Sequence, residues 1–135
     1  MRRLVVVLAF ALALGALAVP SAWAGNPHFV GTPTFTISGN TVTVSAKEAG
    51  LGDESQIVAV LSGTAECING GGKHPKAVNK TGFAITSSEP VQNGQATYRL
   101  TATATFSPSC DPPMTVQFTS LTLTDSTNNL SVILI

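Results

Sequence analysis

Charge is scarce in this chain: only 10% of its 135 residues are charged, and seven Lys and Arg stand against seven Asp and Glu. Nucleic acid and anionic membranes are both bound through a basic excess, so neither is an expected partner. Aromatic residues amount to 6%, and the single Trp, Trp23, lies in the N-terminal apolar segment, so the buried Trp of antibody-type domains is missing. With two histidines and two cysteines, the chain is poor in ligands for zinc. Its one long apolar run, Leu4 to Val19, is shorter than the roughly 20 residues that span a bilayer.

That run has another reading. Met1-Arg2-Arg3 forms a positive start, and Pro20 followed by Ala22-Trp23-Ala24 supplies a helix breaker and a small-x-small cleavage site. Residues 1 to 24 are therefore expected to be a signal peptide, and residues 25 to 135 a single mature domain, secreted and extracellular, with no membrane span once the signal is removed. No Cys near the cleavage site could carry a lipid. The mature part holds five cations, Lys47, Lys73, Lys76, Lys80 and Arg99, against seven acids, a net charge near −2. In an exported chain thiols oxidise, so Cys67 and Cys110 are expected to form one disulfide.

The mature sequence alternates with a period of two almost throughout, which predicts an all-β protein. "TFTIS" places Phe35 and Ile37 on one face, and Gly39-Asn40 turns into "TVTVS" with Val42 and Val44 inward. "QIVAVLSGTAEC" is apolar on both faces over Ile57 to Leu61, as in a strand covered on both sides or bent between sheets. "GFAIT" offers Phe83 and Ile85. "GQATYRLTATATF" points Tyr98, Leu100, Ala102, Ala104 and Phe106 in and Thr97, Arg99, Thr101, Thr103 and Thr105 out. In "MTVQFTSLTLTD" the apolar parity changes between Phe118 and Leu121, which requires a bulge or a change of sheet near Ser120. "LSVILI" follows the turn "DSTNN". About seven strands in this length predict an immunoglobulin-like Greek-key β-sandwich with one disulfide, an up-and-down or jelly-roll arrangement being the alternative.

Chemistry-bearing residues are few. The stretch "CINGGGKHPKAVNK" concentrates Lys73, His74, Lys76 and Lys80 with no acid between Glu66 and Glu89. Gly70-Gly71-Gly72 and Pro75 predict irregular backbone, a loop rooted at Cys67. Asn69, Lys73, His74, Lys76 and Lys80 are its donors, so the loop is the candidate binding surface and its fitting partner is anionic or rich in acceptors, such as an acidic glycan. "INGGGK" lacks the spacing and hydroxyl of a phosphate loop. No metal site is expected, since His74, Cys67 and His28 do not make a zinc set, and Asp53, Glu54, Asp125, Asn128 and Asn129 read as turn formers rather than a calcium loop. No cofactor is expected. No catalytic residue is assigned, because neither histidine sits in a hydrolase signature and sequence cannot bring two of the carboxylates together across a cleft.

"AKEAGLG" (Ala46 to Gly52), "CINGGGKHPKAVNK", "EPVQNGQ" (Glu89 to Gln95) and "LTDSTNN" (Leu123 to Asn129) together resemble a family of small secreted bacterial and fungal proteins without an assigned activity. The resemblance implies a secreted, disulfide-containing β-domain and supplies no catalytic residues. A second similarity, in "GNTVTVSAKEAGLGDESQIVAV", is to the neocarzinostatin-type apoproteins, and implies carriage of a small apolar ligand in a cleft; those domains have two disulfides where this chain has cysteines for one. The expected function is that of a secreted, non-enzymatic binding or interaction module contacting an extracellular glycan, a cell surface or a secreted protein, with ligand carriage as the alternative and a hydrolase third.

Overall fold

A computed structural model describes residues 25–69 and 79–135. These form eight strands: β1 (His28–Phe29), β2 (Thr34–Ser38), β3 (Thr41–Ala49), β4 (Gln56–Ile68), β5 (Lys80–Pro90), β6 (Ala96–Thr103), β7 (Thr115–Asp125) and β8 (Leu130–Ile133). All pairing is antiparallel, in two sheets. In sheet A, β3 is central, with β6 on one side and β1 and β2 in succession on the other; in sheet B the order is β5-β4-β7-β8. The chain thus passes from A to B after β3, back to A for β6 and again to B for β7. That is an immunoglobulin-like Greek-key sandwich. The expected seven strands become eight because one edge is interrupted: β1 pairs with the end of β3 and β2 with its beginning.

Alternation decides what goes inside. Val42, Val44 and Ala46 of β3, Tyr98, Leu100 and Ala102 of β6, Ile57, Ala59 and Leu61 of β4, and Leu121 and Leu123 of β7 are buried against one another. Ile57, Leu61, Leu121 and Leu123 are fully buried, each contributing about 1.5–3 kcal/mol by leaving water. The β2–β3 hairpin turns at Gly39-Asn40, with Ser38 paired to Thr41 and Gly39 at φ 58°, a conformation costly for a residue with a Cβ. The parity change in β7 has its cause in a bulge: Thr64 pairs with Ser120 and Ala65 with Phe118, leaving Thr119 as the extra residue. Gly63 lies beside it, where a Cβ would run into the Ser120 carbonyl and the Phe83 ring.

Phe35 and Ile37 share one face, pairing with Val44 and Val42, and are 36% and 44% exposed because β2 is an edge strand. Two expectations need correction. Val58 and Val60 are only half-buried, since among the described residues a single layer covers β4. The strand around Phe83 and Ile85 extends over eleven residues rather than the five of "GFAIT", because β4 pairs with it along nearly its whole length.

Cys67 and Cys110 are joined, with Cα atoms 5.7 Å apart, tying the end of β4 to the connection between β6 and β7. The link closes a sequence separation of 43, worth about 4 kcal/mol in the chain-entropy model. Leu100 is buried and its neighbour Thr101 exposed. Leu100→Ala should therefore cost about 2–5 kcal/mol in urea unfolding and Thr101→Ala less than about 1 kcal/mol. Equal losses would contradict the assignment of faces.

Candidate functional site

Of the residues nominated from sequence, Asn69 and Lys80 lie at the disulfide end of the sandwich. Asn69 follows β4 and is exposed. Lys80 opens β5, and its ammonium sits 3.0 Å from Glu66 Oε1, its cross-strand partner on β4. That charge is therefore answered by an acid of the same sheet, which the run of residues lacking acids between Glu66 and Glu89 concealed. Lys73, His74 and Lys76 lie outside the described residues.

The opposite end holds a cluster that sequence reading did not assemble. Glu48 and Asp125 have no solvent exposure. Glu48 comes from β3 and Asp125 from β7, so the two carboxyls meet across the sheets, within hydrogen-bonding reach of each other. Tyr98, on β6 and 5% exposed, donates its hydroxyl to Glu48 Oε1. Asp125 Oδ1 accepts from the amides of Thr127 (2.9 Å) and Asn128 (3.3 Å). Its Oδ2 accepts from Asn128 Nδ2 at 2.7 Å, an amide that also donates to Glu54 Oε2 at 3.1 Å. Asp125 is thus a turn former, as its neighbours suggested, and simultaneously one half of a buried acid pair.

Glu48 Oε2 has no donor. A protonated Glu48 resolves this, because the acid proton on Oε2 can be donated to Asp125 while Oε1 continues to accept from Tyr98. The electrostatics agree: burial above all, with the facing Asp125 and the nearby Glu54, raises the Glu48 carboxyl to about 7 against the lowering effect of the Tyr98 hydroxyl. The Tyr98 hydroxyl is pushed up by burial and by Glu48. A proton-sharing pair in a polar cavity would be catalytic equipment, but these carboxyls are sealed from any substrate. Among the described residues there is also no group of three or more His, Cys, Asp or Glu able to hold a metal ion.

Outside the sandwich, sheet A presents hydroxyls in register. One row across the three strands is Thr36, Thr43 and Thr101, the next Ser38, Thr41 and Thr103. Within them Thr43 and Thr101 hydroxyls lie 3.1 Å apart, and Thr41 and Thr103 hydroxyls 3.2 Å. At the end of this face, where β1 gives way to β2, a depression of 490 Å³ is lined by Val30, Thr32, Pro33, Lys47, Thr97 and Arg99. The outward parity of Arg99 was visible in the sequence; that Lys47 shares its face was not, since the pairing of β3 with β6 brings them together. A second depression, of 390 Å³, is formed by the loop after β3 and the turn before β6, lined by Gly50, Gly52, Asp53, Asn93 and Gly94. Neither is a cleft between the sheets of the kind a neocarzinostatin-type carrier implies: the first lies on an outer face, the second among loops.

Comparison with protein-family models, with characterised proteins and with solved structures finds no match.

The buried pair makes stability depend on pH with a definite sign. A carboxyl raised from its ordinary 4.5 to about 7 binds its proton more tightly in the folded chain than in the unfolded one. Its contribution is fully present below about pH 4.5, is lost as pH rises toward about 7 and changes no further above that. The melting temperature should accordingly fall between pH 5 and pH 8. Glu48→Gln, which keeps an acceptor for Tyr98 and supplies a donor for Asp125, should flatten that decline; an unchanged slope in thermal scans would assign it to other groups.

Proposed function

We propose that this protein is a secreted, non-enzymatic binding domain whose partner is an acidic glycan, free or displayed on a cell surface. The observation that carries this reading is the outer face of sheet A. Over three strands it offers Thr36, Thr43, Thr101, Ser38, Thr41 and Thr103 in aligned rows, with no Asp or Glu among its outward residues. Hydroxyls that donate and accept suit a polymer rich in hydroxyls, and the missing carboxylates remove repulsion toward an acidic one. The burial of Glu48 and Asp125 supports a role in recognition rather than catalysis, because the chain's paired acids are turned inward. Export accords with a disulfide in the fold and with the absence, among the described residues, of a helix long and apolar enough to cross a membrane.

Two surfaces compete for the contact, the hydroxyl face and the segment from Asn69 to Lys80. Thr43→Asp puts a negative charge at the centre of the face without touching the core. It should reduce retention on an acidic polysaccharide column, with thermal stability close to that of the parent. Replacing Lys73, Lys76 and Lys80 together by Gln tests the segment in the same assay. If neither change alters retention or its salt dependence, the proposed partner is wrong.

A further inference from the structure

Among the described residues, Lys47 and Arg99 are two cations that share one face of sheet A. Lys80, the other described lysine, is paired with Glu66. Neither Lys47 nor Arg99 has an acid within ion-pair distance among the described residues, and both project from the outer face of sheet A. In the antiparallel register Ser45 opposes Arg99 and Lys47 opposes Thr97, which makes Lys47 and Arg99 diagonal neighbours, about 7–8 Å apart at the backbone. Two like charges so placed repel each other, weakly on an exposed face. An anion between them would convert that repulsion into attraction.

The surroundings say what sort of anion. Between β1 and β2, Val30, Thr32 and Pro33 form one wall of the depression, and Val30 remains bonded to β3, its amide donating to the Lys47 carbonyl at 2.8 Å. Val30 is 45% exposed and Pro33 buried, so the accessible apolar surface of this wall is the Val30 side chain, set beside two cations. Hydroxyls of Thr32 and Thr97 complete the lining. A guanidinium fork is matched by a carboxylate, the ammonium adds a point charge, and an apolar wall suits the C–H face of a sugar ring. The cavity's 490 Å³ is in the size range of small-ligand sites.

We infer that the depression between the Val30–Pro33 wall and the Lys47–Arg99 pair is a subsite for a carboxylate-bearing sugar residue, a uronate, at the end of the hydroxyl face. The assignment rests on the acidic-glycan reading above and adds to it the position and chemistry of the charged group. Lys47 and Arg99 hold the carboxylate, Thr97 and Thr32 bond the ring hydroxyls, and Val30 packs against the ring. A neutral or methyl-esterified residue would leave both cations unanswered.

The test uses the mature chain with oligogalacturonate, its methyl ester and dextran sulfate, followed by titration calorimetry and by amide shifts. Oligogalacturonate should bind with shifts at Val30, Lys47 and Arg99, and the methyl ester should bind about tenfold or more weakly. Lys47→Gln and Arg99→Gln should each weaken oligogalacturonate by about tenfold, and Arg99→Lys, which keeps the charge but loses the fork, should recover only part. Melting temperatures of the two Gln variants should equal or exceed that of the parent, since each removes one of two like charges from an exposed face. Parent binding that survives the double Gln variant would overturn the subsite and leave the acidic-glycan reading standing. Dextran sulfate binding as tightly as oligogalacturonate would overturn the carboxylate assignment, and failure of every acidic polymer to bind would overturn both proposals together.

Discussion

Neighbouring residues on a strand point to opposite sides of a sheet, and in this protein that rule sorts charge. Lys47 lies outside and Glu48 inside on β3; Tyr98 lies inside and Arg99 outside on β6. Since β3 and β6 are paired in register, the inward acid meets the inward phenol and the two outward cations become neighbours. One pairing therefore builds both the buried cluster and the cationic depression. A slip of β3 by one residue would turn over its faces, placing Lys47 in the core and Glu48 on the hydroxyl face, so the register is held by electrostatics as well as by Val42, Val44 and Leu100.

The two ends of the sandwich are secured by different means. Near Cys67 the disulfide joins β4 to the β6–β7 connection covalently. At the other end the sheets are joined by polar groups, Glu48 and Tyr98 from sheet A with Asp125 from sheet B, and Asn128 extends the network to Glu54. Burying two carboxyls is unfavourable unless one is neutral and each oxygen finds a partner. A shared proton meets that condition, and it ties the integrity of this end to the protonation of one side chain. The Asp125 oxygens are additionally held by the turn at 126–129, so the carboxyl that receives the proton is fixed in place by local backbone.

Removing acid from the surface has consequences outside the core. The outer face of sheet A is left with Thr and Ser over most of its area and with Lys47 and Arg99 at one end. Such a face is solvated without strong long-range attraction to arbitrary partners, and a depression bounded by the interrupted edge strand gives it one place of distinct shape. The residues at the interruption between β1 and β2 border that depression, with Val30 still bonded to β3.

Much of the fold was legible in the sequence because strand alternation, turn residues and the cysteine pair are local or nearly composition-level signals. The Gly39-Asn40 hairpin, the inward set from Tyr98 to Ala104, the parity change before Leu121 and the Cys67–Cys110 bridge all follow from such signals. The exposure of Phe35 and Ile37 did not, since an edge position depends on which strands lie beside and opposite, and a strand's own residues do not encode that. The sites were less legible still. The basic run after Cys67 drew attention because its cations are adjacent in sequence, yet the acid that answers Lys80 sits fourteen positions earlier on the paired strand. Glu48 and Asp125 are 77 positions apart, and Lys47 and Arg99 are 52 apart. By itself the sequence determined which side chains share a face of each strand, through the two-residue period of extended backbone. Only the tertiary structure decided which faces meet, because strand order and sheet packing arise from contacts between residues far apart along the chain.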